Sequence, residues 1–178
     1  MADPKETPTL QTARLTLRSF QREDAFTLHC ILNEEGILRY FPNPNPPSME
    51  RVLRIIEGQL THWAEHGFGW WAVVLHGQEE LMGWNGLQFL PETNETEVGY
   101  LLSRRFWGRG YTTEGARAAL QFGFERFELE QIIGLVHPEN IASQRVLEKA
   151  GLKFTNQAKY FGMELYRYMV YRSAYLAI

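Results

Sequence analysis

The chain holds one cysteine, Cys30, so it cannot close an internal disulfide, and the small secreted disulfide scaffolds are excluded. It has no basic excess: 18 Lys and Arg stand against 21 Asp and Glu, a net charge of −3. A nucleic-acid binder usually carries a basic footprint, so that class starts at a disadvantage. No apolar run reaches the roughly 20 residues that a membrane-spanning helix needs. The opening stretch MADPKETPTLQTARL lacks the apolar core of a secretory leader. There is no internal repeat and no low-complexity tract. These absences together predict a cytoplasmic protein with neither nucleic acid nor membrane as partner.

What is present is ordinary for a folded enzyme-sized domain: 178 residues, 44% hydrophobic and 22% charged. Residues 1–178 read as one domain. Arg14-Leu15-Thr16-Leu17-Arg18 alternates like a half-buried strand. Residues 22–33 set Ala25, Leu28 and Leu32 at helical spacing, and the proline-rich 41–47 that follows can be neither helix nor central strand. Ser48 then caps a second helix with Val52, Ile56, Leu60 and Trp63 on one face and Gly67 as its stop. Three strand-like runs, 69–75, 81–90 and 96–103, are joined by short polar connections and predict an antiparallel meander.

Beyond the meander, Ala116, Ala119, Leu120, Gly123, Phe124 and Phe127 mark an amphipathic helix. A buried-type strand follows at 131–136, then a short helix at 141–149 closed by Gly151, then two strands around Gly162. The strand–helix–strand crossover over 96–136 makes the expected fold class α+β, with a mixed, mostly antiparallel central sheet flanked by helices.

The segment with most to say is RRFWGRGYTTEG, residues 104–115, which lies between the last meander strand and the crossover helix. A helix N-terminus offers unpaired N–H groups and partial positive charge. Gly108 and Gly110, lacking Cβ atoms, let phosphate oxygens approach the backbone, and Arg104, Arg105 and Arg109 add charge. No Gly-Lys-Ser/Thr follows, so this is not a nucleotide P-loop, and Thr113 stands where a dinucleotide fingerprint needs its third glycine. A turn that simply requires glycines is the plainer alternative.

On these residues the chain resembles the GNAT acetyltransferases, and within them the RimJ/RimL-like branch. Thr12 to Arg18 resembles that branch's opening strand, Glu97-Val98-Gly99-Tyr100 its central strand, and Trp107 to Glu114 its pyrophosphate loop. Asn140, Ser143, Val146, Leu147, Lys149 and Gly151-Leu152 resemble its second cofactor motif. The loop fits the family's Q/R-x-x-G-x-G/A pattern literally from Arg105. Aligned on the helix start, it runs from Trp107 to Thr112. A tyrosine that many GNAT enzymes carry in the last helix is Leu147 here.

The resemblance implies a GNAT-like acyl-CoA N-acyltransferase fold that moves acetyl from acetyl-CoA to a primary amine, by direct attack in a ternary complex. The amine would be a protein N-terminus or a small molecule, no metal is required, and a homodimer is left open. It implies that the pyrophosphate sits on the amides of Trp107, Gly108, Arg109, Gly110, Tyr111 and Thr112. It also implies that pantetheine pairs with Leu101, Leu102 and Ser103, with the Leu102 N–H donating to the thioester oxygen. Asn140 is a favoured helix cap that would also bind pantetheine. Ser143 takes the place of the missing tyrosine at the leaving thiolate, or is only a first-turn serine. Glu97 is the candidate base; strand alternation sets it on the face of Gly99 and Leu101, opposite Val98 and Tyr100, and a solvated strand carboxylate is the alternative. Glu114 in the first helical turn reads as a dipole partner and not as a catalyst.

Three other readings compete. HWAEH at 62–66 matches the inverted zinc-protease pattern H-x-x-E-H, but Trp63 belongs to the apolar stripe and the histidines then flank it as surface residues. The basic and aromatic residues 104–109 could serve a nucleic acid, against the acidic balance of the chain. A non-catalytic acyl-CoA-binding domain would share the same fold. Phe41, Trp70, Trp71 and Trp84 are candidates to line an acceptor cleft, although strand aromatics usually belong to a core.

Overall fold

The computed structural model describes residues 7–175. Met1–Glu6, part of the stretch read as lacking a leader, and residues 176–178, both within the expected domain 1–178, lie outside the described residues. Among the described residues, eight strands form one sheet in the order β1-β2-β3-β4-β5-β6-β8-β7. In chain order the elements are β1 (Leu10–Gln11), β2 (Leu15–Arg18), α1 (Asp24–Leu32), α2 (Met49–His66), β3 (Trp70–Leu75), β4 (Leu81–Leu90) and β5 (Glu95–Leu102). A 3-10 turn at Arg104–Phe106 precedes α3 (Tyr111–Arg126), β6 (Gln131–Val136), α4 (Ile141–Ala150), β7 (Lys153–Tyr160), β8 (Met163–Tyr171) and α5 (Arg172–Tyr175). The sequence signals gave no hint of β1, the 3-10 turn or α5, which are two to four residues long and carry no periodicity.

All strand pairs are antiparallel except β5 and β6, which are parallel and register only at Glu97↔Ile133. Beyond that pair no register joins the two strands, and this break in the ladder leaves a gap, a cleft in the sheet, between β5 and β6. One sheet face packs α3 and α4 over Leu15, Leu17, Trp71, Val73, Leu87, Val98, Leu102, Ile132 and Val136. The other face packs α1 and α2 over Ala72, Leu81, Trp84 and Leu101.

Local chemistry explains the ends of the long elements. Ser48 accepts from the Arg51 N–H at 3.3 Å, and Gly67 ends α2 at φ 74°. Leu60, expected on the buried face of α2, is instead exposed. The inward place belongs to Gln59, whose side chain accepts from the Trp70 N–H at 3.0 Å and so ties α2 to the first residue of β3. Trp71 faces the α3 side, fully enclosed, and takes no part in the cleft. Its neighbour Trp70 lies on the opposite face, stacked on Trp84 with centroids 4.0 Å apart.

Candidate active site

The loop between β5 and α3 has the backbone that its glycines predict. Gly108 and Gly110 sit at φ 72° and 79°, a region costly for any side chain, and Gly110 occupies the cap position of α3. A Cβ at Gly108 would meet open space, so its conformation and not crowding calls for glycine there. Among the described residues, no protein group accepts from the amides of Gly108, Arg109, Gly110, Tyr111 or Thr112; the first helical bond runs from Glu114 N–H to Gly110 O. Trp107, which the resemblance includes in this row, differs: its amide donates to Arg104 O and its indole N–H to Leu102 O at 2.7 Å.

The arginines divide. Arg105 pairs with Glu80, and Arg104 donates to Glu35 O at 2.8 Å, so both turn toward the protein. The Arg109 side chain makes no ion pair among the described residues, while its carbonyl is held by Arg14 Nη1 at 3.0 Å. Arg14, which sequence reasoning placed only in a strand, buttresses the loop. It also packs over Tyr111 at 4.5 Å and forms an ion pair with Glu114 at 2.7 Å. Glu114 accepts from Thr12 Oγ1 and Arg14 N–H as well, and the three Thr12 and Arg14 bonds outweigh burial to hold its carboxyl below the ordinary range. It is a clamp between β2 and α3.

On β5, Ser103 N–H donates to Met82 O. Because backbone groups alternate from edge to edge along a strand, Leu101 and Ser103 address β4, while Tyr100 and Leu102 address the cleft. The Ser103 hydroxyl is likewise engaged, donating to Glu34 at 2.6 Å, and Glu34 also accepts from the Arg104 N–H. Of the three residues expected along pantetheine, only Leu102 therefore turns its backbone toward the gap.

Glu97 stands where the gap opens. The Leu135 backbone N–H on β6, which no strand partner takes, lies near the Glu97 carboxyl. Desolvation pushes its pKa up to about 8, with the Leu135 bond opposing and nearby Glu95 adding slightly. Glu95 itself is tied to Arg167 at 2.6 Å and Tyr160 at 2.7 Å. Beside Glu97 on the same face lies Gly99, over which the Trp70 and Trp84 rings pack, with Phe41 edge-on to Trp84 at 6.3 Å.

On the other face, Tyr100 reaches α4. Asn140 caps that helix by accepting from the Ser143 N–H at 3.2 Å. Leu147 is buried against Gly134, so the helix position where many GNAT enzymes carry a tyrosine is filled by core.

A model of the acetyltransferase (GNAT) domain family matches residues 14–153, and that span holds the loop, the cleft and α4. The chain belongs to the GNAT acetyltransferases. It is an acetyl-CoA-dependent N-acetyltransferase. It is 30% identical over 154 residues to the uncharacterized protein YkkB of Bacillus subtilis, covering 82% of this chain and 86% of that one. It is 32% identical over 159 residues to an FsC-acetyl coenzyme A-N(2)-transacetylase of Aspergillus fumigatus, covering 83% and 66%. A putative ribosomal-protein-serine acetyltransferase from Vibrio cholerae has the same fold, with TM-score 0.77, 22% identity and coverage of 94% and 98%.

For this GNAT enzyme the zinc-protease pattern dissolves. The His62 ring is half-buried, contrary to the surface place expected, and its Nε2 accepts from the Phe89 N–H at 3.3 Å. That lone pair is unavailable to a metal, and among the described residues no cluster of three or more potential ligands occurs. No helix of the described residues is long and apolar enough to cross a membrane.

Proposed function

We propose that this acetyltransferase moves acetyl from acetyl-CoA directly to a primary amine, a protein N-terminus or a small-molecule amine, in a ternary complex. Acetyl-CoA supplies an activated thioester; the residues of the chain do the rest. The five open amides of Gly108 to Thr112, at the positive end of α3, hold the diphosphate. Leu102 N–H, turned into the gap, stabilises the thioester oxygen as charge grows there. Asn140 and Ser143, on the first turn of α4, border the same gap and contact pantetheine.

Glu97 carries the reading. A carboxyl raised to about 8 is matched to drawing a proton from the attacking amine once pH approaches 8, and it sits where the pairing of the strands ends. The amine nitrogen bonds to the acetyl carbon and the carbon–sulfur bond breaks with its electron pair on sulfur. The proton lost by the amine passes to the Glu97 carboxylate. A covalent acetyl-enzyme is disfavoured, because Cys30 is exposed on α1 and Ser143 is engaged by a neighbouring phenol.

The test is CoA release over panels of N-terminal peptides and small amines, followed against pH. We expect one acceptor class to turn over with a rate that climbs through about pH 8. Absence of acetyl transfer to any amine, or an unchanged pH profile in Glu97→Gln, overturns the reading.

A further inference from the structure

We infer that Tyr100, from β5, is a positioning residue that aims the Ser143 hydroxyl at the departing CoA sulfur, the phenol entering the site from the sheet and not from the last helix. This rests on the proposed acetyl transfer. The Tyr100 hydroxyl lies 3.0 Å from Ser143 Oγ and 3.2 Å from Ser143 O. The two residues are 43 apart in sequence and meet only because β5 and α4 face each other across the cleft floor.

A serine in the first turns of a helix ordinarily turns its hydroxyl back to a carbonyl three or four residues earlier. Ser143 makes no such bond; among the described residues, Tyr100 is the partner of its Oγ. A phenol has one proton and Ser143 Oγ has one proton with two lone pairs. When the single phenol proton goes to the nearer Oγ and not to the Ser143 carbonyl, which can only accept, the serine proton is left free for an acceptor on the open side of the cleft. Asn140 fixes the same residue from below by accepting its N–H, so both the backbone and the hydroxyl of Ser143 are held.

Tyr100 does not itself give up a proton. Burial raises its pKa, with the Ser143 bond opposing and Glu97 and Tyr168 adding to the rise. It remains a donor throughout the working range. As the carbon–sulfur bond breaks, the sulfur keeps the electron pair and accepts a hydrogen bond from Ser143, the serine proton stays on its oxygen, and the amine proton goes to Glu97.

The decisive measurement is the ionisation of the CoA thiol bound to the enzyme, followed by the ultraviolet absorbance of the thiolate. A hydroxyl aimed at sulfur lowers that ionisation constant. Tyr100→Phe should raise it by about half to one unit, a threefold to tenfold weaker preference for thiolate. Ser143→Ala should do the same, and the double variant should add nothing further. In turnover, both single variants should lower kcat about tenfold to a hundredfold at constant KM for acetyl-CoA. The loss should shrink with an acetyl thioester whose thiol is a better leaving group. A purely structural tyrosine would give neither the shared shift nor the leaving-group dependence. If Ser143→Ala shifts the bound thiol and Tyr100→Phe does not, the inference falls while the proposed function stands. If neither variant shifts it while acetyl transfer proceeds, the role of Ser143 falls too. Should Tyr100→Phe melt early, Ser143→Thr, which keeps a hydroxyl for the phenol, must retain the wild-type ionisation.

Discussion

The two halves of the proposed site are built by opposite means. The β5–α3 loop works through main chain: two glycines at positive φ, five open amides and a helix end. Its side chains mostly serve the scaffold, Arg105 pairing with Glu80 and Arg14 with Glu114. The cleft works through side chains brought from distant places: Glu97 and Tyr100 on β5, Ser143 on α4, Trp70 on β3 and Trp84 on β4. A backbone cradle is fixed by local φ and ψ and tolerates change at its rim. A side-chain constellation depends on every element that delivers a member, so it can change its chemistry while the fold stays.

The sharpest break of this contrast is Glu97→Gln, an isosteric change in the cleft. Because the carboxyl titrates at about 8, wild type is mostly protonated at pH 7 and gains its base only as pH rises. The loss in kcat/KM should therefore be largest above pH 8, about a hundredfold to ten-thousandfold, and small well below it. Stability should move the other way. A group whose folded pKa is raised favours the fold below its unfolded value and loses that advantage as pH climbs toward about 8. Wild type should lose melting temperature from pH 5 to 9 relative to Glu97→Gln. Parallel melting curves would show that the carboxyl is solvated.

Next in size come the glycines. Gly110→Val introduces a branched side chain at φ 79°, at a cost of about 1–2 kcal/mol from backbone conformation alone. Its Cβ would meet Arg14 only at an ordinary 3.5 Å, so crowding within the protein is not the issue. Acetyl-CoA affinity, measured calorimetrically, should fall about tenfold to a hundredfold, the value of one or two charge-assisted amide bonds. Gly108→Ala, whose Cβ points into open space, should cost less in both measures. Undiminished affinity in a folded Gly110→Val protein would reduce the loop to a turn.

The loop was legible in the sequence because it is local: glycines, a helix start and their order along the chain are adjacent symbols. The strands and helices were legible for the same reason, each by its own period, and Ser48 and Gly67 ended α2 as their chemistry requires. The cleft was legible only in part. Glu97 and Ser143 could be nominated by resemblance, yet nothing in the spelling of GYLL says that the tyrosine hydroxyl meets Ser143, 43 residues on. Nor could spacing show that Trp107 turns its indole N–H to Leu102 O, that Glu34 takes the Ser103 hydroxyl, or that Gln59 displaces Leu60 from the buried face. Those are decisions of tertiary packing, made between elements whose periods are each satisfied either way.

A ligand test compares the two regions without mutation. Acetyl-CoA should raise the melting temperature, with a stabilisation that grows as the logarithm of one plus its concentration over Kd, whereas ATP and NAD should give no comparable rise. The loop has open amides, as the proposed diphosphate site requires, but no Lys of a P-loop and no third glycine of a dinucleotide fingerprint. Equal stabilisation by ATP would mean that the cradle, and not the cleft, sets what binds.

The smallest expected effect lies away from both regions, at His62. Desolvation, with His66 adding, lowers its pKa to about 4, and its ring meets His66 at 4.4 Å, with Phe68 and Phe89 around the pair. Protonation would also take the Nε2 lone pair that accepts from the Phe89 N–H. A histidine lowered in the fold leaves the unfolded chain binding more protons, so stability falls as pH drops from about 6.5 toward 4. His62→Gln keeps an acceptor for Phe89 and cannot charge, so it should flatten that acid limb by a few degrees of melting temperature. The ring is half exposed, which keeps the effect modest. Acetyl transfer near pH 8 should be the same in His62→Gln as in wild type, and the same with or without EDTA. A rate lost to the chelator and to this substitution together would mean that the histidines hold a metal that the reaction uses.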